Sequence, residues 1–378
     1  MSQVASMRWM LSLFGFFLGL LLAFFLFVFL PARKLPTLIP RCLFCTAPAS
    51  FAYRLPSADP GPALREKPER SYVSMHDRKT TSDRYPSIFT QPEGAVPWFR
   101  PSQRITDFSI ANLHANYIQE YEIDSFGRRA TAGAGSRHLL VLGCSYVFGS
   151  GVEATETLPA QLRLKNFQSY NLGNPGDGPG SILLRTLDER YFAGIRQKKG
   201  IALYYLMNDH VQRALGSYHL SRSWGRRLPR FELVDGKPKH VGQMGNLGLP
   251  EPLFAGFEYL EYIGITWPLY YSDRDLELVA AELAGVRENY LRQFPGGRFV
   301  VVIAPRLRAQ PVTYDLRAFL EKRQLEYLDY GELEMHDYVA APFIPGDGHP
   351  SAAYYAKVSA WLVGDLTQSV LAAEDRAR

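Results

Sequence analysis

Four short stretches of the chain carry the residue types of acyl transfer. A serine, Ser145, sits in GCSYVFG at 143–149, and a glycine-rich turn with Gly176 near its centre, NLGNPGDGPG, spans 171–180. MNDH at 207–210 offers the side-chain amide of Asn208, and GDGHPS at 346–351 offers a carboxylate, Asp347, two residues before an imidazole, His349. A hydroxyl attacks an ester carbonyl efficiently when a base takes its proton, an acid orients that base, and fixed N–H donors meet the negative charge on the carbonyl oxygen. Each stretch alone has an ordinary explanation. Serines after strands cap helices, turn glycines need no substrate, and Asn208 with Asp209 can cap the segment that follows. Together the four supply nucleophile, oxyanion donors, base and orienting acid.

Such residues must be brought together by elements that the sequence also outlines. Leu139, Leu140, Val141 and Leu142 form the short apolar run of a buried parallel strand, which stops at Gly143 and leaves Ser145 at the strand's carboxyl end. Ligands bind beyond the carboxyl ends of strands in open α/β sheets, so the position suits chemistry. Gly143, Gly149 and Gly151 let the backbone bend sharply there. Further strand-like runs at 169–172, 201–207, 298–304 and 325–330 alternate with helical patterns at 157–166, 181–192, 273–294 and 351–366. This alternation predicts a three-layer α/β/α sandwich with a five-stranded, mainly parallel sheet. Between 217 and 266 the alternation breaks. FELVDGKPKH reads there as a hairpin turning at Asp235 and Gly236, an insertion expected to act as a lid or wall over the sheet's carboxyl edge.

The chain has 378 residues, 47% of them hydrophobic, and a formal net charge of +5, which suits a globular core and excludes a disordered chain. Trp9–Leu30 is an uncharged run of 22 residues. At about 1.5 Å per helical residue it spans a hydrocarbon core of roughly 30 Å, so 1–31 reads as an N-terminal transmembrane anchor. Residues 32–110 read as an irregular juxtamembrane linker rich in Pro, Arg, Ser and Asp, and 111–378 as the folded domain carrying the insertion at 217–266. The early basic residues suit a membrane surface, and no nucleic-acid motif accompanies them. Counted alone, Arg33, Lys34 and Arg41 after the apolar run against Arg8 before it favour a cytoplasmic domain. Cys42 and Cys45 form a C-x-x-C pair without the further ligands a metal site needs, so a local disulfide or two inert thiols are the readings left.

The four stretches, in this order and each at an expected strand end, resemble the SGNH, or GDSL, hydrolases, whose four blocks each contribute one of those letters. The resemblance covers roughly residues 120–370, including the upstream IDSFGRR at 123–129. It implies the flavodoxin-like sandwich of that family, Ser145 as nucleophile, His349 as base and Asp347 as its orienting acid. The oxyanion hole would come from the N–H groups of Ser145 and Gly176 and the side chain of Asn208. No metal or other cofactor is implied. The chain departs from the family pattern at Cys144, where Asp is usual, at Leu206, where Gly is usual, and in a D-x-H rather than D-x-x-H final block. A thiol nucleophile at Cys144 is disfavoured because neighbouring side chains on a tight turn point apart, and His210 reads as structural. The implied activity is a membrane-anchored serine esterase or deacylase acting on O-acyl, notably O-acetyl, esters of envelope carbohydrate or lipid-like substrates. An O-acyltransferase of the same fold modifying a polysaccharide, or a non-catalytic binding protein with a degenerate site, are the alternatives. Anchored members often face the bacterial envelope, which places the domain on the extracytoplasmic, periplasmic side against the charge count.

Overall fold

The computed structural model describes residues 104–376, except 112–113, 223, 307–313, 346 and, within 251–269, all but Phe254, Phe257, Trp267 and Pro268. The expected anchor, Cys42 and Cys45 lie outside the described residues. Among the described residues no helix is long and apolar enough to cross a membrane.

Two antiparallel strands, β1 (Arg104–Ala111) and β2 (His114–Glu122), open the described chain. They begin inside the stretch expected as linker, ahead of the boundary placed at residue 111. The register shifts between Ser109 and Ile110, where β2 carries the extra residue Asn116. The central sheet follows: β3 (Arg137–Gly143), β4 (Phe167–Gly173), β5 (Gly200–Leu206), β8 (Arg298–Ile303) and β9 (Glu326–Asp329), in the spatial order β4-β3-β5-β8-β9. Every pairing in it is parallel. This is the doubly wound order 2-1-3-4-5, whose switch point lies between β3 and β5.

The strands are apolar on both faces because both are covered. Leu139, Val141, Leu203, Tyr205, Val300 and Val302 share one core with Val147, Leu158, Leu162 and, from the C-terminal helix, Tyr354, Tyr355, Val358 and Leu362. That face is therefore covered by α1 (Ser145–Phe148), α2 (Leu158–Gln161) and the C-terminal helix Ala352–Arg376. On the other face, Tyr204 bonds to His210 of α4 (Asn208–Leu215) and Phe299 meets Tyr290 of α6 (Asp273–Gln293). There α6 lies close to α3 (Pro179–Thr186), so close that a side chain at Gly285 would strike Leu183. Two expected helices are shorter than their patterns. The one expected at 157–166 ends after a single turn capped by the Thr157 hydroxyl, and the one expected at 181–192 breaks at Asp188, which starts a separate short turn.

The chain divides into two compact units. One comprises Gly216–Arg226 and Met244–Tyr271; the remaining described residues form the other. The first contains α5 (Tyr218–Arg222) and is held by bonds such as Tyr218 N–H to Trp267 O at 2.7 Å and the Tyr271 hydroxyl to Gly216 O at 2.6 Å. The expected hairpin exists as β6 (Pro229–Val234) and β7 (Lys237–Gln243), with Asp235 and Gly236 both at positive φ as a tight two-residue turn requires. It belongs to the sheet unit, where Phe231 lies against Gly180 of α3.

Candidate active site

Ser145 opens α1, two residues beyond the end of β3, and is buried. The N-cap position is taken by Cys144, with no side-chain bond to the helix, so the Ser145 hydroxyl does not serve as the cap. Cys144 points into the core, its Sγ 3.7 Å from Met207 Sδ. The far end of α1 is fastened from two sides. Asn171 Nδ2 donates to the carbonyls of Val147 and Phe148, and the buried guanidinium of Arg129 donates to Phe148 O at 2.9 Å, Gly149 O at 2.5 Å and Val152 O at 2.6 Å. Arg129 also lies over the rings of Tyr121 and Phe148. The IDSFGRR segment thus supplies a clamp for the helix that begins with Ser145.

Gly176 sits in a turn closed by the Asp177 N–H to Asn174 O at 3.1 Å, with Pro175 second and Gly176 third at φ +86°. That is a type II turn, which requires the left-handed conformation at its third residue. Its base is a buried ion pair in which Arg185 donates to Asp177 from Nε at 2.6 Å and from Nη2 at 3.1 Å. Burial pushes the Asp177 carboxyl up, against the pull of Arg185. Among the described residues, neither the Ser145 N–H nor the Gly176 N–H has a hydrogen-bond acceptor.

Asn208 is the first residue of α4, and its Oδ1 accepts the Tyr314 N–H at 3.1 Å, which commits that end of the side chain as acceptor and leaves Nδ2 as the donating end. It lines a cavity of about 110 Å³ with Val211, Ala304, Arg306, Tyr314 and Leu316; Ser145 and His349 are not among its walls. His210 is fully buried, bonded through Nδ1 to the Tyr204 hydroxyl at 3.2 Å, and burial holds its pKa well below the usual histidine value. It is a neutral core histidine.

His349 Nδ1 lies 2.5 Å from Asp347 Oδ2, and the Asp347 side chain is almost wholly buried. A D-x-H spacing achieves this because Gly348 adopts φ +87°, folding the backbone so that its two neighbours point the same way. An Nδ1–H donated to the carboxylate leaves the lone pair on Nε2, the tautomer that can accept a proton. The loop closes on itself through Ile344 N–H to His349 O at 2.8 Å and Ser351 N–H to Pro342 O at 2.9 Å.

The four blocks are tied to one another. Asn174 N–H donates to Gly143 O at 3.0 Å, joining the glycine turn to the serine block, and Arg213 Nη1 of α4 donates to Asp177 O at 2.9 Å, joining the asparagine block to the turn. The Tyr146 hydroxyl donates to Gly348 O at 2.7 Å, and its ring centroid is 5.8 Å from that of His349. Ser145 and Asn208 follow β3 and β5, the two strands that flank the switch point. Tyr146, Arg129, Asp177, Arg185 and Arg213 were not singled out from sequence. Two signals pointed to some of them, the IDSFGRR segment at 123–129 and the Asp inside NPGDG.

Fold and site thus define a doubly wound α/β protein with serine, amide and acid–imidazole groups at the carboxyl edge of its sheet. No protein-family model matches the chain, and no curated protein matches it. Solved structures similar to it include a carbohydrate esterase family 2 enzyme with a carbohydrate-binding domain from Corynascus thermopiles (Myceliophthora fergusii), at 12% identity and TM-score 0.35, covering 68% of this chain and 72% of that one. A family two carbohydrate esterase from Clostridium thermocellum in complex with cellohexaose has 8% identity and TM-score 0.36, with 68% and 70% covered. An acetyl xylan esterase from the rumen bacterium Butyrivibrio proteoclasticus has 10% identity and TM-score 0.36, with 68% and 73% covered. These neighbours are carbohydrate esterases; the likeness to them stops short of chemistry.

Proposed function

We propose that this chain is a membrane-anchored serine esterase that removes O-acyl groups, acetyl foremost, from envelope carbohydrate or lipid-like esters, with its folded domain on the extracytoplasmic side. His349, held in the Nε2 lone-pair tautomer by Asp347, takes the Ser145 proton as Oγ attacks the ester carbonyl. The oxyanion is met by the N–H groups of Ser145 and Gly176 and by Asn208 Nδ2. Each such donor typically contributes about 3 kcal/mol to lowering the barrier. The tetrahedral species collapses as His349 returns the proton to the leaving alcohol, and water then repeats the sequence on the acyl-serine, releasing the acid and restoring Ser145.

The observation that carries this reading is the Asp347–His349 bond on a loop fastened to the residue after Ser145. Steady-state hydrolysis of p-nitrophenyl acetate, with acetate release from an acetylated polysaccharide as the second substrate, tests it. Wild type should turn over both and Ser145→Ala neither; a Ser145→Ala variant with full activity removes Ser145 from the mechanism.

A further inference from the structure

The edge of the sheet opposite the candidate site has a chemistry of its own. The loops entering the strands at their amino ends, 131–136 before β3, 162–166 before β4, 193–199 before β5 and 294–297 before β8, contain no Asp or Glu. They carry Arg163, Lys165, Arg196, Lys198 and Lys199, all exposed, and Arg137 stands at the first position of β3. Among the described residues none of those five has an ion-pair partner.

These cations are held side by side. Arg137 N–H donates to Asn166 O and His138 N–H to Lys199 O, both at 3.0 Å, which sets the loops before β4 and β5 on either side of β3. Gln197 fixes the last loop: its side chain donates to Gly135 O at 3.1 Å and accepts the Tyr170 hydroxyl at 2.9 Å, and its carbonyl lies 3.0 Å from His138 Nδ1. Between the loops lies an open depression of about 610 Å³ lined by Ser136, Arg137, Arg196, Gln197, Lys198 and Lys199. Four of those six are basic and none is acidic.

We propose that this edge is a docking face for an anionic phospholipid surface, the bilayer in which the apolar run Trp9–Leu30 would sit. Five like charges, Arg163, Lys165, Arg196, Lys198 and Lys199, without an ion-pair partner among the described residues suit a surface of many phosphates better than one small ligand. The sequence supplies the occupant, since 73 residues separate that run from Arg104. At about 3.3 Å per extended residue their contour lets the domain leave the bilayer altogether, so a tether alone does not hold it there. Docked by this edge, the domain turns the carboxyl ends of its strands away from the lipid, about 20 Å above it for seven-residue strands. Each basic residue near such a surface favours the docked state by roughly fivefold. The inference does not depend on ester chemistry at Ser145.

Amide hydrogen exchange on the full chain tests it, in vesicles of pure phosphatidylcholine and of phosphatidylcholine mixed equally with phosphatidylglycerol. Because any tether is common to both, the difference reads the basic edge. Segments 131–137 and 193–199 should be protected only in the mixed vesicles, and the protection should vanish at high salt. In the triple variant Lys165→Gln, Arg196→Gln, Lys198→Gln docking should weaken about a hundredfold. Equal exchange in the two vesicle types, or protection that survives both high salt and the triple variant, would overturn the proposal. These three side chains are exposed, and unchanged exchange in the strand interiors of the variant verifies that the fold is intact.

Discussion

Tyr146 donates its phenolic proton to the carbonyl of Gly348, 202 residues further along the chain, at 2.7 Å. One side chain thereby joins the turn that presents Ser145 to the loop that presents His349. Burial pushes the Tyr146 phenol well above the usual tyrosine range, so it remains a donor at any working pH. Tyr146→Phe removes a single neutral hydrogen bond, worth about 1 kcal/mol. Ester hydrolysis should fall roughly fivefold, chiefly in kcat, with the folded state intact by circular dichroism.

Asp347→Asn tests the orienting acid. The amide can offer Nδ2 to the imidazole, which favours the tautomer with its lone pair on Nδ1 and removes the counter-charge for the imidazolium. By the behaviour of such triads kcat should drop on the order of 10⁴-fold with KM little changed. An activity within threefold or so of wild type would mean that the 2.5 Å contact with His349 has no part in turnover.

Arg129 is a structural clamp whose loss should show in stability. Arg129→Ala leaves the carbonyls of Gly149 and Val152 without the donors they have now, and creates a cavity beside Tyr121. Urea denaturation should report a loss of about 3–5 kcal/mol. Arg129→Lys cannot span three carbonyls with one ammonium and should recover only part of that.

Glu282 is fully buried in α6, and neither carboxyl oxygen has a hydrogen-bond partner among the described residues. Burial pushes its carboxyl well up. A raised folded-state pKa means that its contribution is intact below the unfolded value of about 4.3 and is lost as pH rises toward the folded value. Glu282→Leu should therefore stabilise the protein by about 2 kcal/mol at neutral pH and by less under acid conditions. Thermal unfolding at several pH values checks both the gain and its slope.

Much of this arrangement was legible in the sequence, and the part that was not has a physical reason. The buried strands were legible because parallel strands covered on both faces are continuous apolar runs, as Leu139–Leu142 is, and the hairpin because Asp235-Gly236 accepts two positive φ angles. The short reach between Asp347 and His349 hangs on one backbone angle at Gly348, which spacing does not encode. The contacts of Tyr146, Arg129 and Arg213 run to backbone carbonyls, which every residue possesses, so no residue type at the far end announces them. β1 escaped because its sequence, RITDFSIA, places apolar residues at 105, 108, 110 and 111, which is no regular two-residue alternation.

The central claim is that Ser145 is a nucleophile activated by His349, and covalent labelling tests it most directly. The full chain is treated with a fluorophosphonate and analysed by intact mass and peptide mapping. One label per chain, on the peptide holding Ser145, absent in Ser145→Ala and strongly slowed in His349→Ala, is the expected result. No label, a label on another residue, or labelling at an unchanged rate without the imidazole would contradict the account.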